Sequence, residues 1–308
     1  MSTSNNPLVS IIIISYNSSK YVLETLESAK KQTYKNIELI VSDDCSTDDT
    51  VFVCQKWFDE NKERFVKTQL ITVNVNGGIT ANCNRGVKAS HGDWLKLIAG
   101  DDILIENCID TYLEFVQSNN KIKAVYSQYL GFDKEFSLNN LSTPKYIGFK
   151  DFYSPKKTAS QQFRKLLRRN FFAGPTFFVS KDLLSSIGGF DEKYGFEDLP
   201  IALKITKSGI KLYFIEEITV YYRNNIPSVT NAKSSHILFS NFYKTKYQFE
   251  KEYIFPHASL LLIFHKKYEY YRFFTMDKFG LNKRNLVCRI IFKLTYLANP
   301  FNFYNKYF

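Results

Sequence analysis

The chain has 308 residues, 44% hydrophobic and 17% aromatic, with 41 Lys/Arg against 30 Asp/Glu for a formal net charge of +11. That composition excludes general disorder, and the length suits one large α/β domain or a domain with an appendage. Cys45, Cys54, Cys83, Cys108 and Cys288 are odd in number and lack any C-x-x-C pair, which excludes a zinc site and a disulfide framework and fits a reducing, cytoplasmic setting.

In chain order, Met1 to Pro7 is short and polar, so no secretory leader is expected. Val9 to Ser15 is a nearly continuous β-branched run, the pattern of a strand buried on both faces of a parallel sheet. Val22, Leu26 and Ala29 recur at helical spacing, and Ile37 to Val41 predicts a second strand ending at Ser42-Asp43-Asp44. Ser46 to Asp49 offers N-cap side chains for a helix with Val51, Cys54, Trp57 and Phe58 on one side. A third strand is expected over Leu70 to Val75, a helix over Thr80 to Ala89, and a fourth strand over Trp94 to Ile98. This β-α-β-α-β-α-β order predicts an open, mostly parallel sheet flanked by helices.

Ligands of such sheets sit beyond the strand carboxyl ends, near the point where strand order reverses. Tyr16, Asn17, Asp43, Asp44, Asn76, Asp101 and Asp102 all fall at those ends. Gly100-Asp101-Asp102 taken alone is good turn chemistry. Two adjacent carboxylates repel unless a cation lies between them, however, and a divalent ion bound to a phosphate-bearing ligand would satisfy them. No G-x-G-x-x-G follows the first strand and no P-loop is present, so backbone amides do not supply the phosphate cradle.

The runs PLVSIIIISYN, SAKKQTYKNIELIVSDDCSTDDT, NGGITANCNRGVKASHGDWLKLIAGDD and GGFDEKYGFEDLPIALKI, in that order over roughly residues 7 to 230, resemble family 2 glycosyltransferases of the GT-A fold. The resemblance implies transfer of a sugar from a nucleotide diphosphate donor with inversion at the anomeric carbon. It implies that Tyr16 and Asp44 lie near the nucleotide base with Asp43 beside them, and that Asp101 and Asp102 form the metal and ribose motif, with Mn or Mg as the ion. It also implies that Asp198 is the general base, because a hydroxyl acceptor is a poor nucleophile until a carboxylate takes its proton. Glu197 becomes an acceptor-side contact. Two positions depart from the family pattern: Ala99 where an extra aspartate is common, and Arg223-Asn224-Asn225 where a histidine often follows. Ala99 leaves open a fold member that binds nucleotide sugar without turning it over.

Between these motifs, Tyr126 to Arg169 reads as less regular, with Asp133 to Thr158 as a long surface loop. Gln161 to Arg169 is basic, and Phe177 to Val179 is strand-like. Carboxylates in a helix's first turn are ordinarily cap residues, so Glu197 and Asp198 carry that reading too. Leu199, Ala202, Leu203 and Ile205 are expected to face the core. Strands are expected at Lys211 to Ile215 and Thr219 to Arg223, with Arg223 placed to pair with a leaving diphosphate.

From Asn241 to Phe308 there are twelve Lys/Arg against four Asp/Glu, so most of the net charge lies in a Tyr/Phe-rich tail. No run of about 18 apolar residues occurs, so no membrane-spanning helix is expected. A helix from Asn285 to Ala298 has Leu286, Ile290, Leu294 and Leu297 on one side, beside Val287 and Ile291, with Arg289 and Lys293 four apart. Such a helix either lies in an anionic membrane interface or packs on the catalytic domain. Nucleic acid is disfavoured as a partner, since the acidic strand ends would repel its phosphates.

The expected organisation is a GT-A domain over residues 1–230, with a nucleotide-sugar half (1–102) and an acceptor half (103–230), then a basic helical extension over 231–308. The expected partners are a UDP-sugar donor and a glycan or glycolipid acceptor of the O-antigen or capsule kind. The expected location is peripheral at the inner face of the cytoplasmic membrane.

Overall fold

The computed structural model describes residues 6–133, 135–142, 151–171, 173–224 and 240–299. Its contacts divide the chain into a larger unit, Met1–Phe163 with Asn170–Asn224, and a smaller one, Arg164–Arg169 with Asn225–Phe308. The expected boundary at residue 230, the departure at Asn225 and residues 134 and 143–150 of the expected Asp133–Thr158 loop lie outside the described residues.

The larger unit is built on eight strands: β1 (Val9–Ser15), β2 (Ile37–Asp43), β3 (Lys67–Ile71), β4 (Trp94–Ala99), β5 (Ile103–Leu104), β6 (Ala124–Asp133), β7 (Phe178–Ser180) and β8 (Tyr213–Asn224). They form one sheet in the order β3-β2-β1-β4-β7-β6-β8-β5. The first four are parallel, with Ile12 opposite both Ile40 and Leu97. β7 then runs antiparallel to both β4 and β6, while β6 and β8 run parallel to each other. The expected mostly parallel sheet therefore holds for the amino-terminal half and gives way to a mixed half.

Helices α1 (Val22–Lys30), α2 (Thr50–Asn61) and α3 (Ile79–Ala89) connect the parallel strands, and α4 (Cys108–Gln117), α5 (Ala159–Leu166), α6 (Lys181–Ser186) and α7 (Asp198–Lys207) follow. Because β1 and β2 are covered on both faces, Val9, Ile11, Ile13, Leu39 and Val41 are wholly buried, packed with Val22, Leu26 and Ala29 of α1. α3 lies so close on β1 that a Cβ at Gly86 would come within 2.3 Å of the Ile12 side chain. That approach fixes the height of α3 above the sheet.

Three expectations need correction. The third strand runs Lys67–Ile71 rather than Leu70 to Val75, because it is an edge strand whose register follows β2 (Glu38 opposite Lys67) and not its own apolar content. Tyr126 does not open an irregular region: Ala124–Asp133 is a ten-residue strand inside the sheet. The two expected strands at 211–215 and 219–223 are one, β8, whose Glu216-Glu217 interruption is absorbed by a bulge. Gln128 Nε2 closes that bulge by donating to the Glu216 carbonyl at 2.6 Å. In α7, Ala202, Leu203 and Ile205 are buried as expected, while Leu199 stays partly exposed.

The smaller unit is helical. α8 (Ser240–Phe249) runs through a wide turn at Glu250–Ile254 to α9 (Leu260–Lys278), which is capped by Ser259 accepting from the Leu262 N–H at 3.3 Å. After Gly280, α10 (Leu286–Leu297) starts at Asn285, whose side chain accepts from the Cys288 N–H at 2.8 Å. Tyr268 and Arg272 of α9 donate to the Thr295 and Phe292 carbonyls of α10, both at 3.1 Å. Among the described residues no helix is long and apolar enough to cross a membrane.

Candidate active site

Polar side chains at the carboxyl ends of β1 and β2 form the first part of the site. Asp43 is buried and organises the loop after β2: its carboxylate accepts from Ser15 Oγ at 3.0 Å, the Ser46 N–H at 2.8 Å and Ser46 Oγ. Asn17 adopts a left-handed conformation (φ 49°) and accepts from the Thr47 N–H at 2.8 Å, which binds the β1 and β2 loops together. Tyr16 beside it is 51% exposed. Asp44 is buried, and its carboxylate accepts from the Gly77 N–H at 3.0 Å, the Gly78 N–H at 2.7 Å and the Arg85 guanidinium of α3. Asn76 completes this loop by donating to the Asp44 carbonyl at 3.0 Å.

The second part lies where β4 ends. Gly100 donates to the Ile14 carbonyl at 2.8 Å, so the Asp101–Asp102 turn sits directly against the end of β1, where the sheet changes direction. Asp102 is 1% exposed: Oδ1 accepts from the Arg223 N–H at 2.9 Å, while Oδ2 is buried without a hydrogen-bond partner among the described residues. Burial raises its carboxyl pKa well above the usual range, and repulsion from Asp101 adds to this. Burial raises Asp101 too, opposed by the Arg223 charge. Arg223 is itself buried between the Tyr21 and Phe132 rings, 4.3 and 4.5 Å away, donating to the Asp101 carbonyl at 2.8 Å and to Glu24 Oε2 at 2.9 Å. Its guanidinium thus anchors the aspartate turn from below.

No group of three or more His, Cys, Asp or Glu arranged to hold an ion occurs among the described residues. The Asp101–Asp102 pair nevertheless fits a divalent cation. An orphaned buried carboxylate oxygen and two mutually repelling carboxyls are what a hard cation relieves, and Mg-type ions use one or two carboxylates with the remainder from substrate phosphate and water.

The third part is the start of α7. The Gly174 N–H bonds the Asp198 carboxylate, and a Cβ at Gly174 would lie 2.5 Å from Asp198 Oδ1 and 3.3 Å from Glu197 Oε1. Burial pushes the Asp198 carboxyl well up, with Glu197 adding repulsion; burial raises Glu197 as well. The Gly174–Thr176 turn beneath them is held by two buried side chains. Lys96 of β4 donates from Nζ to the Pro175 carbonyl, and Tyr112 of α4 donates to the Thr176 carbonyl at 2.5 Å. Burial brings the Lys96 ammonium down to about 8.

β4 links the second and third parts: Lys96 lies in the strand that leads to Asp101–Asp102, and its ammonium holds the turn packed against Asp198. Burial raises the Tyr222 hydroxyl, and the Asp102 and Asp101 charges add to it. Cys83 of α3, two residues from Arg85, is raised first by burial and then by Glu197 and Asp198. Sequence reasoning missed Arg85, Glu24, Gly174, Lys96 and Tyr222. Only Lys96 carried a local signal, as the single charge inside the strand Trp94-Leu95-Lys96-Leu97-Ile98-Ala99.

Residues 10–188 match the family described as Glycosyl transferase family 2. Among curated relatives, the Escherichia coli protein named UDP-Glc:alpha-D-GlcNAc-diphosphoundecaprenol beta-1,3-glucosyltransferase WfaP is 29% identical over 232 residues, 75% of this chain and 83% of its own length. Among solved structures, S. aureus TarS 1-349 in complex with UDP-GlcNAc superposes with a TM-score of 0.57 at 20% identity, over 85% of this chain and 70% of that one. The chain spans 42% of a longer TarS structure. Mannosyltransferase PcManGT from Pyrobaculum calidifontis, in complex with GDP-Man and Mn2+, superposes with a TM-score of 0.56 at 16% identity, over 80% and 61%. With the family match covering more than half of the sequence and the fold shared with these structures, the chain belongs to glycosyl transferase family 2 and is a glycosyltransferase of the GT-A fold.

Proposed function

We propose that the chain transfers a hexose or N-acetylhexosamine from a UDP-sugar, with inversion, to a hydroxyl of a lipid-linked oligosaccharide at the cytoplasmic membrane surface, as in O-antigen or capsule assembly. The observation that carries this reading is that β4, which leads into the Asp101–Asp102 turn, also holds through Lys96 the turn against which Asp198 packs. A transferase needs a diphosphate-holding group and a base in one cleft, on opposite sides of the reacting carbon.

In this reading the exposed Tyr16 ring stacks on the uracil, and Asn17, Asp43, Asp44 and Asn76 shape the pocket around base and ribose. Asp101 and Asp102 would hold a divalent ion, manganese or magnesium, which when bound would supply charge neutralisation to the diphosphate. Arg223 keeps a positive charge beneath the same turn. Asp198 accepts the acceptor hydroxyl proton as the acceptor oxygen bonds to the anomeric carbon and the bond from that carbon to the UDP oxygen breaks. A single displacement of this kind inverts the anomeric configuration. Glu197 contacts the acceptor and, as a neighbouring negative charge, keeps the Asp198 carboxyl basic enough to take the proton.

The donor class is supported by the UDP-sugars in the names of WfaP and the TarS complex, and the acceptor class by the diphosphoundecaprenol in the former. The test is UDP release from a panel of UDP-sugars, with and without Mn2+, using a GlcNAc-diphosphate-lipid acceptor. Transfer with inverted product stereochemistry is expected. Retention of configuration, or transfer unaffected by Asp198→Ala, would overturn the mechanism.

A further inference from the structure

α10 has two apolar faces, and among the described residues one of them packs within its own unit while the other is exposed. Cys288 is buried, and Phe292 and Thr295 take the contacts from Arg272 and Tyr268 of α9. On the other side Leu286, Ile290, Leu294 and Leu297 are 73, 50, 59 and 63% exposed, with Val287 among them. At 100° per residue these five occupy an arc of about 100°, turned away from the packed face. Arg289 and Lys293 lie along one edge of that arc and are also exposed, and Lys283 precedes the helix.

Among the described residues this apolar arc is exposed. From it we infer that α10 is a docking face for an anionic phospholipid surface, with the aliphatic arc in the acyl boundary and Arg289 and Lys293 reaching the headgroups. Charge decides between a bilayer and a second copy. The segment from Asn241 to Phe308 holds twelve Lys/Arg against four Asp/Glu, so pairing two such faces brings like charges together, whereas an anionic bilayer attracts them. The docking face deepens the proposal of a lipid-linked acceptor and rests on it for its purpose, since it would hold the enzyme in the plane of that acceptor.

The full chain is spun with sucrose-loaded vesicles of phosphatidylcholine alone, or with about one third phosphatidylglycerol. Strong binding to the anionic vesicles and little to the neutral ones is expected. Ile290→Asp with Leu294→Asp is expected to weaken binding at least tenfold, and Arg289→Gln with Lys293→Gln to weaken it similarly at unchanged thermal stability. Vesicles without acceptor test docking alone. Transfer to a water-soluble acceptor tests catalysis alone and should be equal in all three proteins. Equal binding by the aspartate variant, or absence of binding to anionic vesicles, would overturn the inference. So would a wild-type dimer that the aspartate pair dissolves while vesicle binding persists.

Discussion

Gly174→Ala isolates the seat of the proposed base. Gly174 does not adopt a positive φ, so alanine is acceptable to the backbone there, and the obstacle is the carboxylate above it. The added methyl would stand 2.5 Å from Asp198 Oδ1 where ordinary contact begins at 3.4 Å, so the two must separate by 3.4 − 2.5, or about 0.9 Å. The turn yields little, because Lys96 and Tyr112 hold its carbonyls from below. The carboxylate therefore moves and gives up the Gly174 N–H. A displacement near 1 Å at a reacting group costs about 10²-fold in rate, and a lost hydrogen bond to a charged group is worth about 1.5–3 kcal/mol. The expected result is a kcat about 10²-fold lower with donor KM within about threefold of wild type, measured by coupled UDP release. In an Asp198→Ala background the same change should be nearly silent, since the clashing atom is gone. A Gly174→Ala enzyme retaining half the wild-type kcat would refute this account, as would full additivity of the two changes.

Asp198→Asn should lower kcat by about 10³-fold while stabilising the fold at neutral pH by roughly 0.5–2 kcal/mol. The folded-state pKa of Asp198 is raised by burial and Glu197, so its stabilising contribution is complete below the unfolded carboxylate value and is lost as pH rises through the folded one. Thermal melts should therefore show wild type and variant converging toward acid and separating toward neutral pH. The acidic limb of the wild-type kcat profile should correspondingly lie above the ordinary carboxylate range. Lys96→Met keeps the buried volume but removes the donor to the Pro175 carbonyl; a roughly tenfold loss of kcat with stability changed by about 1 kcal/mol or less is expected from paired kinetics and melts. Chelation with EDTA should abolish transfer and Mn2+ restore it, and Asp101→Asn should raise the Mn2+ concentration for half-maximal rate by about tenfold or more.

Strand ends were legible because a strand buried on both faces is a near-continuous apolar run, so the change of polarity at Ser15-Tyr16, Ser42-Asp43 and Ala99-Gly100 marks the rim of the sheet. That logic fails where burial is one-sided or shared. β3 lies at an edge, and Val75, which looked like its end, is 77% exposed beyond it. β6 carries Ser127, Gln128 and Gly131 among its aromatics, and its register against β8 is interrupted by a bulge, so no period of two survives. The partners that fix the site were hidden for another reason. Asp44 with Arg85, Lys96 with Pro175 and Glu24 with Arg223 are separated by 41, 79 and 199 residues, and only the folded chain brings them together.

One of those long-range ties, from Lys96 to Pro175, starts in β4. This strand stands between the parallel and mixed halves of the sheet, pairing with β1 on one side and β7 on the other. Its carboxyl end delivers Asp101 and Asp102, and its middle residue Lys96 holds the turn on which Asp198 rests. The Asp101–Asp102 turn and the seat of the proposed base are thus both tied to one strand. Their kinetic signatures should still divide. In the proposed mechanism Asp101 acts where the diphosphate binds, so its loss should appear in metal and donor dependence, whereas Lys96 and Gly174 act through the proposed base, so their loss should appear in kcat with donor KM spared. If Lys96→Met instead raised donor KM as Asp101→Asn does, β4 would be serving the donor pocket alone, and the carbonyl of Pro175 would be an incidental partner of its amine.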